Sequence, residues 1–272
     1  MSRVQAIADP NYVKNQYRTA SNLNVRIRLH QEFSTNKYGW QRWLFEQFKF
    51  IPQSRVLELG CGAGNLWLEN LDRIPAGLEI ILSDFSDGVL EQAQQNLGNS
   101  RSFFQLKVVD AQSIPFENAS FDIVIANHML YHIPDRAKAL SEIKRILKPS
   151  GRFYCSTIGC NHLKELASLI HRFDSQLTSW GSLTSDTFSL ENGSTQLGEY
   201  FANVSLYRYS DSLIVTDAKP LVDYILSGRI ELSTNQQLGL GKFVEQELKA
   251  SDGKFYITKE SGVFESHNIL QP

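Results

Sequence analysis

The chain has 272 residues with 42% apolar and 21% charged side chains, a composition that argues against a disordered chain and suits one large domain or a domain with a sizeable insertion. Twenty-seven basic against 29 acidic side chains leave a formal charge of −2, which supplies no global drive toward nucleic acid or an anionic membrane. Three cysteines (Cys61, Cys155, Cys160) are an odd count without metal-type spacing, so a disulfide scaffold or zinc ribbon is not expected. No apolar run approaches the roughly 18 residues of a membrane span, and residues 1–12 lack the apolar core of a secretion signal; the expectation is a soluble, cytoplasmic protein.

Residues 1–50 carry eight Lys/Arg and three acidic residues, net +5, against −7 for the remainder. Such a block is either a solvated helical face docked on an acidic body or an arm that meets an anionic ligand. Leu23, Ile27 and His30, then Trp40, Trp43, Leu44 and Phe48, recur at helical spacing. They predict two or three helices ending at Ile51-Pro52, where proline forbids continuation. From residue 54 the pattern changes to short β-branched runs, with strands expected at 55–59, 79–83, 103–109, 121–126 and 152–157. Helices at 65–71, 87–97 and 137–147 alternate with them, the last stopped by Pro149-Ser150-Gly151. Strands alternating with helices mean right-handed parallel βαβ units and a doubly wound α/β sheet covered on both faces.

After Gly159 the rhythm breaks. A helix at 163–173, a Ser/Thr/Gly/aromatic stretch with helix near 194–201, and a strand at 204–215 bent at Ser210-Asp211 follow. Helices at 220–226 and 238–248 precede closing strand segments at 255–259 and 263–266, with Gly253 and Gly262 expected at turns. The division expected is a helical arm or lid over 1–52, a ligand-binding core over 53–159, an insertion or cap over 160–203, and completion of the sheet over 204–272.

The chemistry centres on VLELGCGAG, residues 56–64. Glycines between a strand and a helix let the backbone turn sharply and a ligand approach closely, and the helix N-terminus behind them favours a negative group. A dinucleotide fingerprint begun at Gly60 needs glycine at position 65, where Asn65 stands. The pattern is instead Gly60-x-Gly62-x-Gly64, with Glu58 two residues ahead and Cys61 as a small apolar filler. The second strand ends in Asp84, 24 residues after Gly60, where a doubly wound sheet receives a ribose diol. A carboxylate's two acceptor oxygens match two adjacent hydroxyls. The third strand leads to Asp110 and Ala111, and the fourth to Asn127. Singly, each is as readily a turn or cap residue; in register at the carboxyl ends of successive parallel strands they mark a ligand edge.

Together ELGCGAG, LSDFS, VVDAQSIPFENASFDIVIANHMLYHIPD and LKPSGRFYCST make residues 54–158 resemble a class I S-adenosylmethionine-dependent methyltransferase, in the style of the type 11 group similar to the ubiquinone/menaquinone-biosynthesis methyltransferases. The resemblance implies a mostly parallel seven-stranded Rossmann-like sheet with an antiparallel last strand, and S-adenosylmethionine as cofactor with S-adenosylhomocysteine as product. It implies that Gly60, Cys61, Gly62 and Gly64 form the loop beside the methionine part, with Glu58 beneath, either orienting the loop or bonding the cofactor's amino group through its surroundings. Asp84 would hold the ribose hydroxyls, Phe85 the adenine face, Asp110 the adenine amino group, the Ala111 amide a ring nitrogen, and Asn127, through its backbone carbonyl or else its side-chain amide, the methionyl ammonium. In similar enzymes N-terminal helices form a lid, which makes Tyr17 and Arg26 candidates for the methionine carboxylate or the substrate.

Such a cofactor supplies the electrophile, so the protein mainly aligns reactants and excludes water. Proton removal from the acceptor, where needed, falls to His128 or His132, with His30, Tyr17 and Tyr131 as further candidates; His162, His171 and His267 lie outside any motif and are expected to be peripheral, on the surface or in the insertion. Trp180, Phe188, Tyr200 and Phe201 of the insertion are expected to wall the acceptor pocket. No Asn-Pro-Pro-Tyr or Asp-Pro-Pro-Tyr follows the fourth strand and no Pro-Cys nucleophile occurs, which disfavours methylation of exocyclic base nitrogens or cytosine C5. Cys155 and Cys160 show no third soft-metal partner, and no catalytic metal is indicated. The expected partner is a small-molecule methyl acceptor, without membrane or nucleic acid. RNA or protein methylation, or cofactor binding without catalysis, remain alternatives, as do monomer and homodimer.

Overall fold

The computed structural model describes residues 20–177, 187–228 and 232–268. Two helices, α1 (Ala20–Phe33) and α2 (Trp40–Gln47), precede the first strand. The alternating core follows: β1 (Arg55–Leu59), α3 (Asn65–Leu68), β2 (Glu79–Asp84), α4 (Asp87–Leu97), β3 (Phe104–Val108), β4 (Phe121–Asn127), α5 (Arg136–Ile146) and β5 (Leu147–Ile158). Then come α6 (Lys164–Phe173), α7 (Gly193–Gly198), β6 (Ala202–Val215), α8 (Ala218–Leu226), α9 (Thr234–Ala250) and β7 (Phe255–His267).

The strands form one seven-stranded sheet in the order β3-β2-β1-β4-β5-β7-β6. β1 pairs in parallel with both β2 and β4, β2 with β3, and β4 with β5. β7 runs antiparallel between β5 and β6. Crossovers from β1 leave in opposite directions, so the sheet has its switch point between β1 and β4, where open α/β sheets hold ligands beyond the strand carboxyl ends.

The central strands are apolar without alternation because each face meets helices. Leu57, Ile81 and Val124 pack on one side against Ala139, Leu140, Ile143 and Ile146 of α5. Val56, Ile80, Ile123 and Ile125 pack on the other against Leu44 and Phe45 of α2, Leu66 and Trp67 of α3 and Leu90 of α4. Each such aliphatic side chain contributes about 1.5–3 kcal/mol on full burial. A third cluster joins Leu29 of α1, Leu166, Leu169 and Ile170 of α6, Leu221 and Ile225 of α8, and Leu240 and Val244 of α9 around Leu213, Val215 and Ile257. It surrounds the part of the β6–β7 ribbon, from Ser210↔Glu260 to Val215↔Phe255, that runs on past β5. Asp135 caps α5 by accepting from the Lys138 amide, and Ser233 with Gln236 forms a capping box on α9.

The structure departs from the sequence reading at a few places. α3 is a single turn, followed by a 3₁₀ turn at Leu71–Arg73. β5 starts at Leu147, directly from α5, since a register shift between the Phe121↔Leu147 and Ile123↔Arg152 pairs absorbs the Pro-Ser-Gly residues as a bulge. Gly262 is not a turn. It lies inside β7 where a Cβ would stand 2.7 Å from the Tyr207 carbonyl oxygen, so close strand approach demands glycine there. β6 passes through Ser210-Asp211 unbroken, its register shift falling at Ala202/Ser205 instead. Among the described residues no helix is long and apolar enough to cross a membrane.

Candidate active site

β1 ends in a loop whose glycines have left-handed backbones, φ 69° at Gly60 and 56° at Gly62, conformations that L side chains rarely adopt. A Cβ at Gly60 would approach the Met129 side chain to 3.1 Å, whereas one at Gly62 would meet nothing within 4 Å. The loop is therefore tight on one side and open on the other. Its open side borders a cavity of about 350 Å³ at the switch point.

The cavity gathers residues from five segments. Gly60 and Gly62 come from the loop, Asp84 and Phe85 from the end of β2, Asp110 and Ala111 from beyond β3, Asn127, His128, Tyr131 and His132 from beyond β4, and Arg26 from α1. The half-buried Asp84 carboxylate accepts from the Gly62 amide at 3.1 Å and the Ser86 amide at 3.0 Å. Burial pushes its pKa up, against those backbone donors. Phe85 lies at the rim, 41% exposed. Asp110 accepts from the Gln112 amide at 2.9 Å, which fixes the turn around buried Ala111.

Glu58, Cys61 and Gly64 do not line the cavity. Glu58 is 2% exposed and accepts from the Trp67 indole at 2.7 Å and the Asn127 carboxamide at 3.1 Å. Burial pushes its pKa up to about 7 against those two donors. With its nitrogen committed to Glu58, Asn127 presents a buried Oδ1 that has no hydrogen-bond partner, a group that costs stability until a ligand satisfies it. Cys61 points into the core, and burial raises its thiol pKa well above the usual range. Gly64 packs against Leu97 and Ala93 of α4.

His128 has φ 49°, and its amide donates to both the carbonyl and hydroxyl oxygens of Ser156 at 3.1 Å. Its ring stands 5.2 Å from that of Trp40. Burial, then Lys259 and His132, lower its pKa to about 4, so the imidazole is neutral at pH 7. His132 closes a 3₁₀ turn and sits 4.5 Å from the Tyr131 ring. Arg26 donates to Ser227 Oγ at 3.2 Å and Ser227 O at 2.9 Å, tying α1 to the end of α8 while facing the cavity.

Several expectations change. His162 is half-buried rather than peripheral: its Nδ1 accepts from the Glu260 amide, and its ring is 6.3 Å from His30. Phe188 and Phe201 are core residues packed on Phe264 and Phe153, and Tyr200 borders a separate depression with Arg136 and Gln196. Ligand atoms of Cys160, Glu191 and Glu260 lie within 4.8 Å of one another, but the two carboxylates are hard oxygen donors and not soft-metal partners, and Cys155 is buried in the core. Tyr17 and Trp180 fall outside the described residues. Sequence reasoning missed Trp67, whose partnership with Glu58 links a helix to a strand, and the apolar lining from Val89, Val109, Met129, Ile133 and Pro134. Their proximity to strand ends was the available signal.

A family model for a methyltransferase domain matches residues 57–155. Over 116 residues the chain is 31% identical to the ubiquinone/menaquinone biosynthesis C-methyltransferase of Geotalea daltonii, covering 42% of this chain and 49% of that protein. Over 138 residues it is 33% identical to the demethylmenaquinone methyltransferase of Lactobacillus johnsonii, covering 48% and 57%. The chain thus spans about half the length of the curated relatives it matches. Among solved structures, phosphoethanolamine N-methyltransferase 2 of Haemonchus contortus in complex with S-adenosyl-L-methionine superposes with a TM-score of 0.58 at 19% identity, covering 99% of this chain and 60% of that one. The YcgJ protein of Bacillus subtilis superposes with a TM-score of 0.58 at 16% identity, covering 85% and 98%. Likeness at such identities speaks to the fold, and it agrees with the segment matched in sequence: residues 57–155 are similar to a methyltransferase domain of the type 11 group, set in a sheet of the Rossmann-like methyltransferase fold.

Proposed function

We propose that the chain transfers a methyl group from S-adenosylmethionine to a small-molecule acceptor, in the cytoplasm, and releases S-adenosylhomocysteine. The observation that carries the reading is the unsatisfied Asn127 Oδ1 in a cavity that also presents the Asp84 and Asp110 carboxylates at neighbouring strand ends. That donor-poor, acceptor-rich edge suits a ligand with a ribose diol, an exocyclic amine and an ammonium. Each carboxylate retains lone pairs beyond those used by backbone amides, so Asp84 is free to take the diol and Asp110 the adenine amino group. Phe85 offers an apolar face to the base, and the open side of Gly62 leaves room for the methionyl portion.

The cofactor, when bound, supplies an electrophilic methyl on a sulfonium. The chain's own residues align the acceptor and keep water out. Met129, Ile133 and Pro134 give that end of the cavity an apolar wall. His128, neutral at pH 7, accepts a hydrogen bond or a proton from the acceptor, and its depressed basicity suits alignment better than full proton removal. His132 with Tyr131 stands as the second candidate for proton transfer. Arg26 is assigned to the carboxylate of the methionyl group or of the substrate. Relatives named for C-methylation in ubiquinone/menaquinone biosynthesis support an aromatic ring as the first acceptor to try.

The test is a screen of ring and aliphatic metabolites for acceptor-dependent formation of S-adenosylhomocysteine. Formation with one acceptor class, reduced at least tenfold in His128→Ala, is expected. Binding of a nicotinamide dinucleotide in place of S-adenosylhomocysteine would contradict the reading.

A further inference from the structure

Glu58 stands two residues before Gly60, nearly sealed from solvent at 2% exposure. Its oxygens are met by two neutral donors, the Trp67 indole at 2.7 Å and the Asn127 carboxamide at 3.1 Å. Among the described residues no Lys, Arg or His forms an ion pair with it. The titratable groups facing it are Asp84 on β2, a like charge, and the Cys61 thiol in the glycine loop. His128, which follows Asn127 at the end of β4, is neutral and adds no counter-charge. A carboxylate so enclosed favours its protonated form. The one polar atom beside it left unsatisfied is Asn127 Oδ1, carried by the same carboxamide whose nitrogen holds Glu58.

A ligand that delivers an ammonium to Asn127 Oδ1 would supply the missing cation one side chain away from Glu58. We propose that Glu58 is protonated in the empty site and gives its proton to solvent when the methionyl ammonium of the cofactor binds at Asn127, with Trp67 as the positioning residue that holds the other carboxylate oxygen. The carboxyl O–H bond breaks, its electron pair stays on Glu58, and the proton passes to buffer. The inference rests on assigning the cofactor to this cavity. It adds a regulation of the site: cofactor affinity rises with pH up to neutrality. Burial places the Glu58 pKa near 7, where this matters.

Calorimetric titration of the whole chain with S-adenosylhomocysteine, at about pH 6 in cacodylate and in imidazole, reads proton release from the difference in heats. About one proton is expected, falling toward zero near pH 8.5, with affinity rising about tenfold between pH 6 and 8. 5′-Methylthioadenosine keeps the nucleoside but lacks the ammonium, and it should bind without releasing a proton. Glu58→Gln should bind S-adenosylhomocysteine with no proton release and no rise in affinity with pH. Trp67→Phe, which removes one donor to the carboxylate, should move the midpoint of that rise to higher pH. Binding of S-adenosylhomocysteine at pH 6 without proton release, equal release with 5′-methylthioadenosine, or release persisting in Glu58→Gln overturns the inference while leaving the cofactor assignment intact. Binding of neither nucleoside overturns the cofactor assignment itself, and the inference with it.

Discussion

The two halves of the sheet are built on different principles. From β3 to β5 the strands are parallel, and two of them close on a polar residue that lines the cavity: Asp84 after β2's apolar run, Asn127 after β4's. At the other edge, β6 and β7 form an antiparallel ribbon held by partners from remote parts of the chain. Ser34 donates to Asp211 across 177 positions and Lys49 to Glu265 across 216. The first half makes its site from local motifs. The second is tied to the N-terminal segments by long-range contacts and lends no residue to the cavity lining among the described residues, so substitutions in the two halves should fail in different ways.

The largest expected effect lies in the ribbon. Lys259 and Asp211 form an ion pair with side chains 9% and 0% exposed. Lys259→Met leaves Asp211 charged and buried, and should destabilise the protein by about 3–5 kcal/mol. Chemical denaturation checks this, and S-adenosylhomocysteine affinity of the folded fraction should be unchanged. A comparable loss of cofactor affinity would join the two halves and break the contrast.

The parallel half should show its character in pH dependence. Glu58 is raised in the fold from 4.5 to about 7 by burial. A carboxyl raised in the folded state contributes stability that is full below its unfolded value and lost as pH rises through the folded one. The empty protein should therefore lose up to about 3 kcal/mol between pH 4.5 and 7 from this group. Asp211 runs the opposite way. Burial raises it, but Lys259, Ser34 and the Asn36 amide outweigh burial and leave it below the usual range. Its contribution is present above the unfolded value and lost as pH falls through the folded one. Denaturant midpoints of Glu58→Gln should lack the decline toward neutral pH; an unchanged decline would place its source elsewhere.

Asp84→Ala should weaken S-adenosylhomocysteine by about 1.5–3 kcal/mol, the value of a charge-assisted contact to the diol, with folding retained by circular dichroism. Unchanged affinity would refute the assignment of Asp84. A smaller effect is expected for Arg26→Ala, which removes two bonds to Ser227. About 1 kcal/mol of stability should be lost. If Arg26 also meets the methionyl or substrate carboxylate, the variant raises the corresponding Kd or KM. Removing the exposed Arg28–Glu32 pair on the same helix should leave stability nearly unchanged, since solvent screens it.

How far each half could be read from sequence follows the same division. RVLEL, the glycine turn, and the acids or amides closing successive strands are local patterns, and the parallel strands expected from them form one sheet. Glu58 was placed under the loop, but its indole partner was not, because Trp67 reaches it across a loop whose shape no periodicity encodes. Phe188 and Phe201 read as pocket wall because aromatic residues in a polar stretch suggest a ligand face. They are instead swallowed by the core through Phe264 and Phe153, strand residues distant in sequence. His162 looked peripheral for the same reason, as its neighbours are His30 on α1 and the β7 backbone. Gly262 read as a turn because glycine usually punctuates a strand, yet here it permits β6 and β7 to approach.

A crystal structure of the chain with S-adenosylhomocysteine tests the central claim most directly. The account predicts the ribose hydroxyls on Asp84, the adenine against Phe85 and the ammonium of the amino-acid portion on Asn127 Oδ1. A glycine crevice left vacant at saturating ligand, or the nucleoside seated at another edge of the sheet, would contradict it.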